Sequence, residues 1–269
     1  MIKMKKKISI ITVVKNGMPF LRSSIKSFEL QNYNNKELII IYAKSNDGTE
    51  EYLKSLNHSN IFIKEDLNSK TKFGSINIGL KISSGEIVGL LHSDDVFYSE
   101  NTLSEIVYKF DNDADLIYGN VLFSKVNDLS SINRIWKSKI FIKKNLRFGW
   151  MPPHTSIFLV KKKLIDNNIF YNEDYPISGD YDFILKILSE YNFKVEFIDN
   201  FITIMRSGGD STKISNLIKK FKEDIEISKK YFKSYLICIF FKIFQKIFQL
   251  KFINTKIKND YINTLNNLK

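Results

Sequence analysis

Up to Phe123, apolar positions come in short β-branched runs, separated by stretches in which they recur every three or four residues. The runs Ile8 to Val14, Glu37 to Ala43, Asn60 to Glu65, Glu86 to Leu91 and Asp115 to Phe123 predict strands. Between the first two, Phe20, Leu21, Ser24, Ile25 and Phe28 share one helical face, and Pro19 lies near the first turn, where a missing N–H does no harm. Asp47 or Thr49 can open a short helix through Leu56, and Ser75 to Ser83 and Ser99 to Phe110 read as two more. Strands alternating with helices predict βαβ units and a mostly parallel sheet. In such sheets ligands collect beyond the carboxyl ends of the strands, where this chain puts Lys15-Asn16-Gly17, Lys44 to Thr49 and His92 to Asp95.

From Arg134 the rhythm changes. Trp136, Phe148, Trp150 and Met151-Pro152-Pro153-His154 precede a strand at Ser156 to Val160. A helix over Asp180 to Glu190 follows, then short strands at Val195 to Ile198 and Phe201 to Met205, closing on Arg206-Ser207-Gly208-Gly209. This predicts a domain over residues 1–210, in halves 1–123 and 124–210, and a separate basic, helical tail over 211–269. In the tail, Tyr231 to Ile253 carries an apolar face of Phe232, Leu236, Phe240, Ile243, Phe244, Ile247 and Phe248, opposite a polar stripe of Lys242, Gln245, Lys246 and Gln249. Its longest unbroken apolar run, Tyr235 to Phe241, falls far short of the ~20 residues that span a bilayer. Two readings stay open: a helix lying in a membrane interface, or one packed on its own domain or a second subunit.

Composition narrows the classes. With 43% hydrophobic residues the chain buries a core, which excludes disorder of the whole. Lys and Arg number 41 against 29 Asp and Glu, a net charge of +12 that draws polyanions such as nucleotide diphosphates or anionic lipid. The basic residues are scattered with no aromatic-basic recognition motif, which argues against nucleic acid. Cys238 is the sole cysteine, so no internal disulfide forms, as suits a reducing compartment. The apolar run after the basic Met1 to Lys7 is short, β-branched and without a small-residue cleavage pattern, so it reads as a strand and not a signal peptide.

Two acidic clusters carry candidate chemistry. Leu90-Leu91-His92-Ser93-Asp94-Asp95 sets adjacent acids at the end of a buried strand, where ionised carboxylates need positive charge against them. Mg²⁺ or Mn²⁺ suits, because such ions take one or two protein carboxylates and fill other positions with water and substrate phosphates; a helix cap is the alternative. Ser178-Gly179-Asp180-Tyr181-Asp182-Phe183 opens a helix, where a carboxylate is stabilised as the anion and serves as a base or merely as a cap.

In order along the chain, these segments resemble the family 2 glycosyltransferases from about Ile8 to Thr212. Ser9 to Asn16 looks like the family's first strand and turn, Ser45-Asn46-Asp47-Gly48-Thr49 like its Ser-Thr-Asp-Gly-Thr turn, and Ser75 to Leu80 with Ser84 to Ile87 like the entry to its metal strand. Ser93-Asp94-Asp95 is similar to the end of Asp-x-Asp-Asp, Gly179 to Asp182 to the base motif, and Arg206 to Gly209 to Arg-x-Gly-Gly near the donor phosphates. The resemblance implies an α/β, GT-A-like nucleotide-binding fold: a mostly parallel central sheet flanked by helices, a donor-binding half, an acceptor-side half and the amphipathic tail.

It also implies an inverting hexosyltransferase using a nucleotide-sugar, UDP-sugar favoured, with Mn²⁺ or Mg²⁺. Asp180 would be the base. Thr12, Val14, Asn16, Tyr42, Asp47, Asn77, Ser93, Asp94 and Arg206 would meet the donor, His154 and Asp182 the acceptor side, and Asp94, Asp95 and His92 the metal. The acceptor would be a saccharide or lipid-linked saccharide of bacterial surface polysaccharide or glycolipid synthesis. That points to a cytoplasmic protein, peripheral at the inner face of the cell membrane through its tail. Three positions depart from the family pattern: Tyr42 and Gly74 stand where acids are usual, and His92 replaces the first Asp of Asp-x-Asp. These departures define the alternative, a catalytically degenerate, membrane-associated binding homologue. A nucleotidyltransferase is disfavoured because Lys15-Asn16-Gly17 is too short for a Gly-rich triphosphate loop.

Overall fold

The computed structural model describes residues 6–110, 112–208, 214–249 and 265–268. Gly209, the helix end expected at Ile253, and the side chains of Lys246, Ile247, Phe248 and Gln249 lie outside the described residues.

The β-branched runs become strands β1 (Ile8–Val14), β2 (Lys36–Tyr42), β3 (Ile61–Glu65) and β4 (Ile87–Leu90), crossed by helices α1 (Leu21–Glu29), α2 (Thr49–Ser55) and α3 (Lys72–Ile82). β3, β2, β1 and β4 are hydrogen-bonded in that order, all parallel. The side chains of β1, β2 and β4 alternate between two buried faces, whereas β3, at the edge, buries only Ile61. Ile8, Ile10, Leu38 and Ile40 meet α1 and α2 on one side, whereas Ile11, Ile39 and Ile41 meet Phe73, Ile76 and Leu80 of α3 on the other.

The chain continues through β5 (Val96–Phe97), α4 (Thr102–Phe110), β6 (Leu116–Lys125), β7 (Asp128–Trp136), β8 (Phe158–Val160), α5 (Lys161–Asp166), α6 (Gly179–Glu190), β9 (Val195–Arg206), α7 (Ile214–Tyr231) and α8 (Tyr235–Gln249). The described strands form one nine-stranded sheet, β3-β2-β1-β4-β8-β6-β9-β5, with β7 paired to β6. β6 and β9 are parallel; β8, β5 and β7 run antiparallel to their neighbours. The strands expected separately at Val195 to Ile198 and Phe201 to Met205 are one strand, β9, which absorbs a register shift opposite Asn120 where Asn120 Nδ2 donates to Asp199 Oδ1 at 2.8 Å. β5, β7 and α5 were not expected. β7 is Asp-Leu-Ser-Ser-Ile-Asn-Arg-Ile-Trp, half-buried and without clean alternation, so it carries little periodic signal.

The C-terminal helices pack closely on the domain. Ile227 of α7 and Cys238 of α8 are fully buried, and Tyr181 of α6 places its hydroxyl 3.1 Å from Ser228 Oγ and 3.3 Å from Cys238 Sγ. α8 meets the 3₁₀ turn Lys143–Phe148 at Gly149, whose φ of +70° no other residue adopts easily and whose missing Cβ would lie 2.6 Å from the α8 backbone. Two residues of the polar stripe are turned toward the domain: Lys242 Nζ lies 3.1 Å from the Tyr181 ring centroid and 3.0 Å from Asp224 Oδ1, and Gln245 Nε2 donates to the Phe148 carbonyl at 2.9 Å. The apolar face is turned outward, with Leu236 66% and Phe240 63% exposed.

Candidate active site

The site gathers where β1, β2 and β4 end. Asn16 adopts a left-handed φ of 52°, donates its backbone N–H to Ser45 Oγ at 3.0 Å and accepts Asn46 N–H on Oδ1 at 3.0 Å. Asp47 accepts Met18 N–H at 2.8 Å and Thr49 Oγ1 at 2.6 Å; these bonds outweigh its desolvation and hold its carboxyl below the usual range. The β1 and β2 turns are thus braced into one rim, with Tyr42 half-buried beside it.

Four side chains expected to meet substrate are committed to the fold instead. Thr12 is buried and donates to the Leu91 carbonyl at 2.7 Å, and Val14 lies in the core. Asn77 clips the backbone of Tyr171, accepting its N–H and donating to its carbonyl, each at 2.9 Å. Asp182, expected on the acceptor side, is buried against α7, where it accepts Lys230 Nζ and Tyr231 Oη at 3.1 Å.

After β4, Ser93 and Asp94 are half-buried and Asp95 is buried. Asp95 Oδ1 accepts the Arg206 N–H at 3.1 Å, while Oδ2 has no hydrogen-bond partner among the described residues. Burial first, then repulsion from Asp94, pushes the Asp95 carboxyl well above the usual range. A divalent cation beside Asp94 relieves that imbalance, so the pair fits Mn²⁺ or Mg²⁺. Among the described residues no group of three or more His, Cys, Asp or Glu is placed to hold a metal ion. Arg206, at the end of β9, stacks 4.7 Å over the Phe20 ring and donates to Ser23 Oγ at 3.0 Å.

His92 does not turn its Nε2 toward the acids as a metal ligand would. That atom lies 3.1 Å from His154 Nε2, and His154 Nδ1 lies 3.2 Å from Asp180 Oδ2. Two segments far apart in sequence therefore meet through a pair of imidazoles. The Pro152-Pro153 segment leads into a 3₁₀ turn, His154–Ser156, pinned by Ser156 Oγ to the Pro153 and Gly119 carbonyls at 2.9 and 3.0 Å. Burial holds His92 down at about 3 and His154 below its usual value. Burial alone would raise Asp180; His154, Lys220, Lys72 and Lys242 outweigh it and hold the carboxyl at about 2. Asp180 is the anion, facing an apolar cavity of about 20 Å³ bordered by Ile11, Val88, Leu159 and Phe183.

Sequence reasoning missed what surrounds Asp180. Tyr171 stacks on Phe183 at 3.8 Å and on Phe73 at 5.5 Å, forming a wall beside the carboxylate. From α7, Glu223 Oε2 accepts the N–H groups of Ile177 at 3.1 Å and Ser178 at 2.7 Å, capping α6 from another helix, since Ser178 supplies no side-chain cap of its own. Lys220 and Lys242 bring positive charge from α7 and α8. Read in sequence these belong to a lysine-rich tail, and nothing local marks them as part of a site.

The profile of glycosyl transferase family 2 matches residues 9–171. Over 176 residues the chain is 31% identical to the GalNAc(5)-diNAcBac-PP-undecaprenol β-1,3-glucosyltransferase of Campylobacter jejuni, covering 63% of this chain and 56% of that protein. It is 28% identical over 127 residues to the UDP-Glc:α-D-GlcNAc-diphosphoundecaprenol β-1,3-glucosyltransferase of Escherichia coli, covering 47% and 49%. The chain thus spans about half the length of these relatives. Among solved structures, TarS 1–349 of S. aureus in complex with UDP-GlcNAc superimposes with a TM-score of 0.66 at 17% identity, over 97% of this chain and 80% of that one. The mannosyltransferase PcManGT of Pyrobaculum calidifontis, in complex with GDP-Man and Mn²⁺, does so with 0.62 at 12% identity, over 98% and 75%. The fold is the GT-A-like α/β fold, with a mixed, mostly parallel sheet flanked by helices.

Proposed function

The chain belongs to glycosyl transferase family 2, and from that premise we propose that it is an inverting hexosyltransferase that takes its sugar from a UDP-sugar donor. The observation that carries this reading is the junction of the Asp94 turn with Asp180 through His92 and His154. It joins a half-buried, ionised carboxylate to the turn that carries an acidic pair of the kind that receives a metal-bound diphosphate. Asp180 accepts the proton of the acceptor hydroxyl as that oxygen attacks the anomeric carbon, displacing the nucleoside diphosphate from the opposite face and inverting the centre. No second carboxylic acid is required, because a diphosphate leaves without prior protonation, unlike the alkoxide of a glycoside. Asp94 and Asp95 would hold Mn²⁺ or Mg²⁺, which would supply charge neutralisation at the leaving diphosphate. Arg206 adds positive charge at the same rim, and Asn16, Asp47 and Tyr42 border the nucleotide.

The acceptor is a lipid-linked saccharide of bacterial surface polysaccharide or glycolipid synthesis, met at the cytoplasmic face of the membrane. The outward apolar face of α8 supports this, as do the undecaprenol-linked substrates in the names of the two similar glucosyltransferases. No described helix is long and apolar enough to cross a membrane, so contact would be interfacial.

The test is a donor screen. Purified protein with Mn²⁺ is offered UDP-, GDP- and dTDP-sugars with undecaprenyl-diphosphate-linked saccharides, and products are read by mass spectrometry. Transfer from a UDP-hexose with inverted anomeric configuration is expected. If calorimetry finds no binding to any donor, the non-catalytic homologue is the correct reading.

A further inference from the structure

His92 stands where an acid of the metal motif is usual, yet its ring is directed to His154 and, through it, to Asp180. His154 Nδ1 lies 3.2 Å from Asp180 Oδ2, an ion-pair distance at which a carboxylate, which only accepts, favours a proton on that nitrogen. With the His154 proton on the nitrogen that faces Asp180, the 3.1 Å contact between the two Nε2 atoms is completed by His92 donating from its own Nε2. On that arrangement the direction of donation runs His92 to His154 to Asp180. The other carboxylate oxygen, Oδ1, accepts the Tyr181 N–H at 2.9 Å. With Oδ1 hydrogen-bonded and Oδ2 against His154, the carboxylate is restrained about its χ2 bond. The root of the His92 segment is equally fixed, since the His92 carbonyl accepts Ser24 Oγ at 3.0 Å and Asp95 N–H at 3.1 Å.

We propose that His92 and His154 are positioning residues for the base: His154 fixes the orientation of the Asp180 carboxylate, and His92 fixes the tautomer of His154 without binding the metal. The proposal rests on reading Asp180 as the base, and on geometry already formed in the free protein. It makes the departure at His92 a replacement of one task by another, not a defect. Lys72, Lys220 and Lys242 also face Asp180, but they act by charge and do not orient it.

The side chains suggest matched substitutions. Asn can keep a donor near the place of His Nδ1, and Gln one near Nε2. Replacing His154 by Ala should lower kcat about 10²-fold with donor KM within about threefold, while His154→Asn recovers to within about tenfold of the parent. His92→Ala should lower kcat about tenfold, His92→Gln should restore it, and Mn²⁺ affinity, followed by electron paramagnetic resonance with the ion alone, should not change. The chain has three histidines, so ¹⁵N-histidine NMR assigns them by substitution: His154 is expected as the Nδ1–H tautomer, the minor form of free imidazole in water, and His92 as Nε2–H.

Weakened Mn²⁺ binding in His92→Ala would make His92 a metal ligand and overturn the proposal. So would full kcat in His154→Ala, a rise in KM at unchanged kcat, or His154 found as Nε2–H. The tautomer and metal measurements do not need turnover, so they decide the proposal even if the donor screen fails.

Discussion

Among single residues, Asp180 and Glu37 show how burial is overruled by specific partners. Asp180→Asn should lower kcat by roughly 10² to 10⁴ with folding and donor KM nearly intact, measured by steady-state kinetics and thermal melting. With the carboxyl held at about 2, the acidic limb of the kcat profile should lie well below neutral pH; a limb near pH 6 would mean that the base is another group. Glu37, buried at the foot of β2, would be raised by desolvation, but hydrogen bonds from Lys7, Ser9 and Ser84 bring it from 4.5 down to about 2. A shift of that size corresponds to about 3 kcal/mol, present in full above the unfolded value and lost as pH falls through the folded one. Glu37→Gln should therefore melt below the parent at neutral pH, and the gap should close as pH falls below about 4.5. Equal melting at neutral pH would refute this. Glu37 was legible in sequence only as the start of a strand, because its partners Lys7 and Ser84 are far away along the chain.

Among the elements, β1, β2, β4 and β6 followed from periodicity because they are buried on both faces, and uninterrupted apolar runs are what such strands require; β3, at the sheet edge, is mostly exposed. β5, β7 and α5 were not legible, being two residues, nine mixed residues and six residues long, too short or too irregular to carry a period. The acidic motifs were legible as motifs, but not their company: the pairing of His92 with His154 joins segments 62 residues apart. Nor could the pattern of α8 reveal which face turns inward, since an amphipathic helix reads alike with either face on the protein. The seat of α8 is tested at Gly149. Gly149→Ala places a Cβ against the α8 backbone at a positive φ, so it should cost about 1–3 kcal/mol and lower the melting temperature by several degrees. An unchanged melt would mean that α8 does not pack there.

Across the protein as a unit, the outward face of α8 has a border. Leu236, Ile237, Phe240, Ile243 and Phe244 are exposed, Phe241 meets Phe148 at 5.6 Å, and Lys143, Lys144 and Arg147 of the neighbouring 3₁₀ turn are exposed beside them. An apolar patch with basic flanks suits an anionic bilayer. Replacing Leu236, Phe240 and Ile243 with Ser should abolish flotation with anionic vesicles and leave the melting temperature within a few degrees of the parent, because these side chains touch solvent. Flotation that survives would assign the face to another contact. Cutting the chain near Asp210 is a poorer test, since it removes Ile227 and Cys238 from the core as well as the patch. The grip of Glu223 on Ile177 and Ser178 carries the same warning for anyone trimming the protein for convenience. A shortened version lacking α7 would leave the amides ahead of Asp180 open to water and the base poorly aimed. Such a fragment, well behaved in the tube and silent in the assay, would wrongly suggest that the intact protein is inactive.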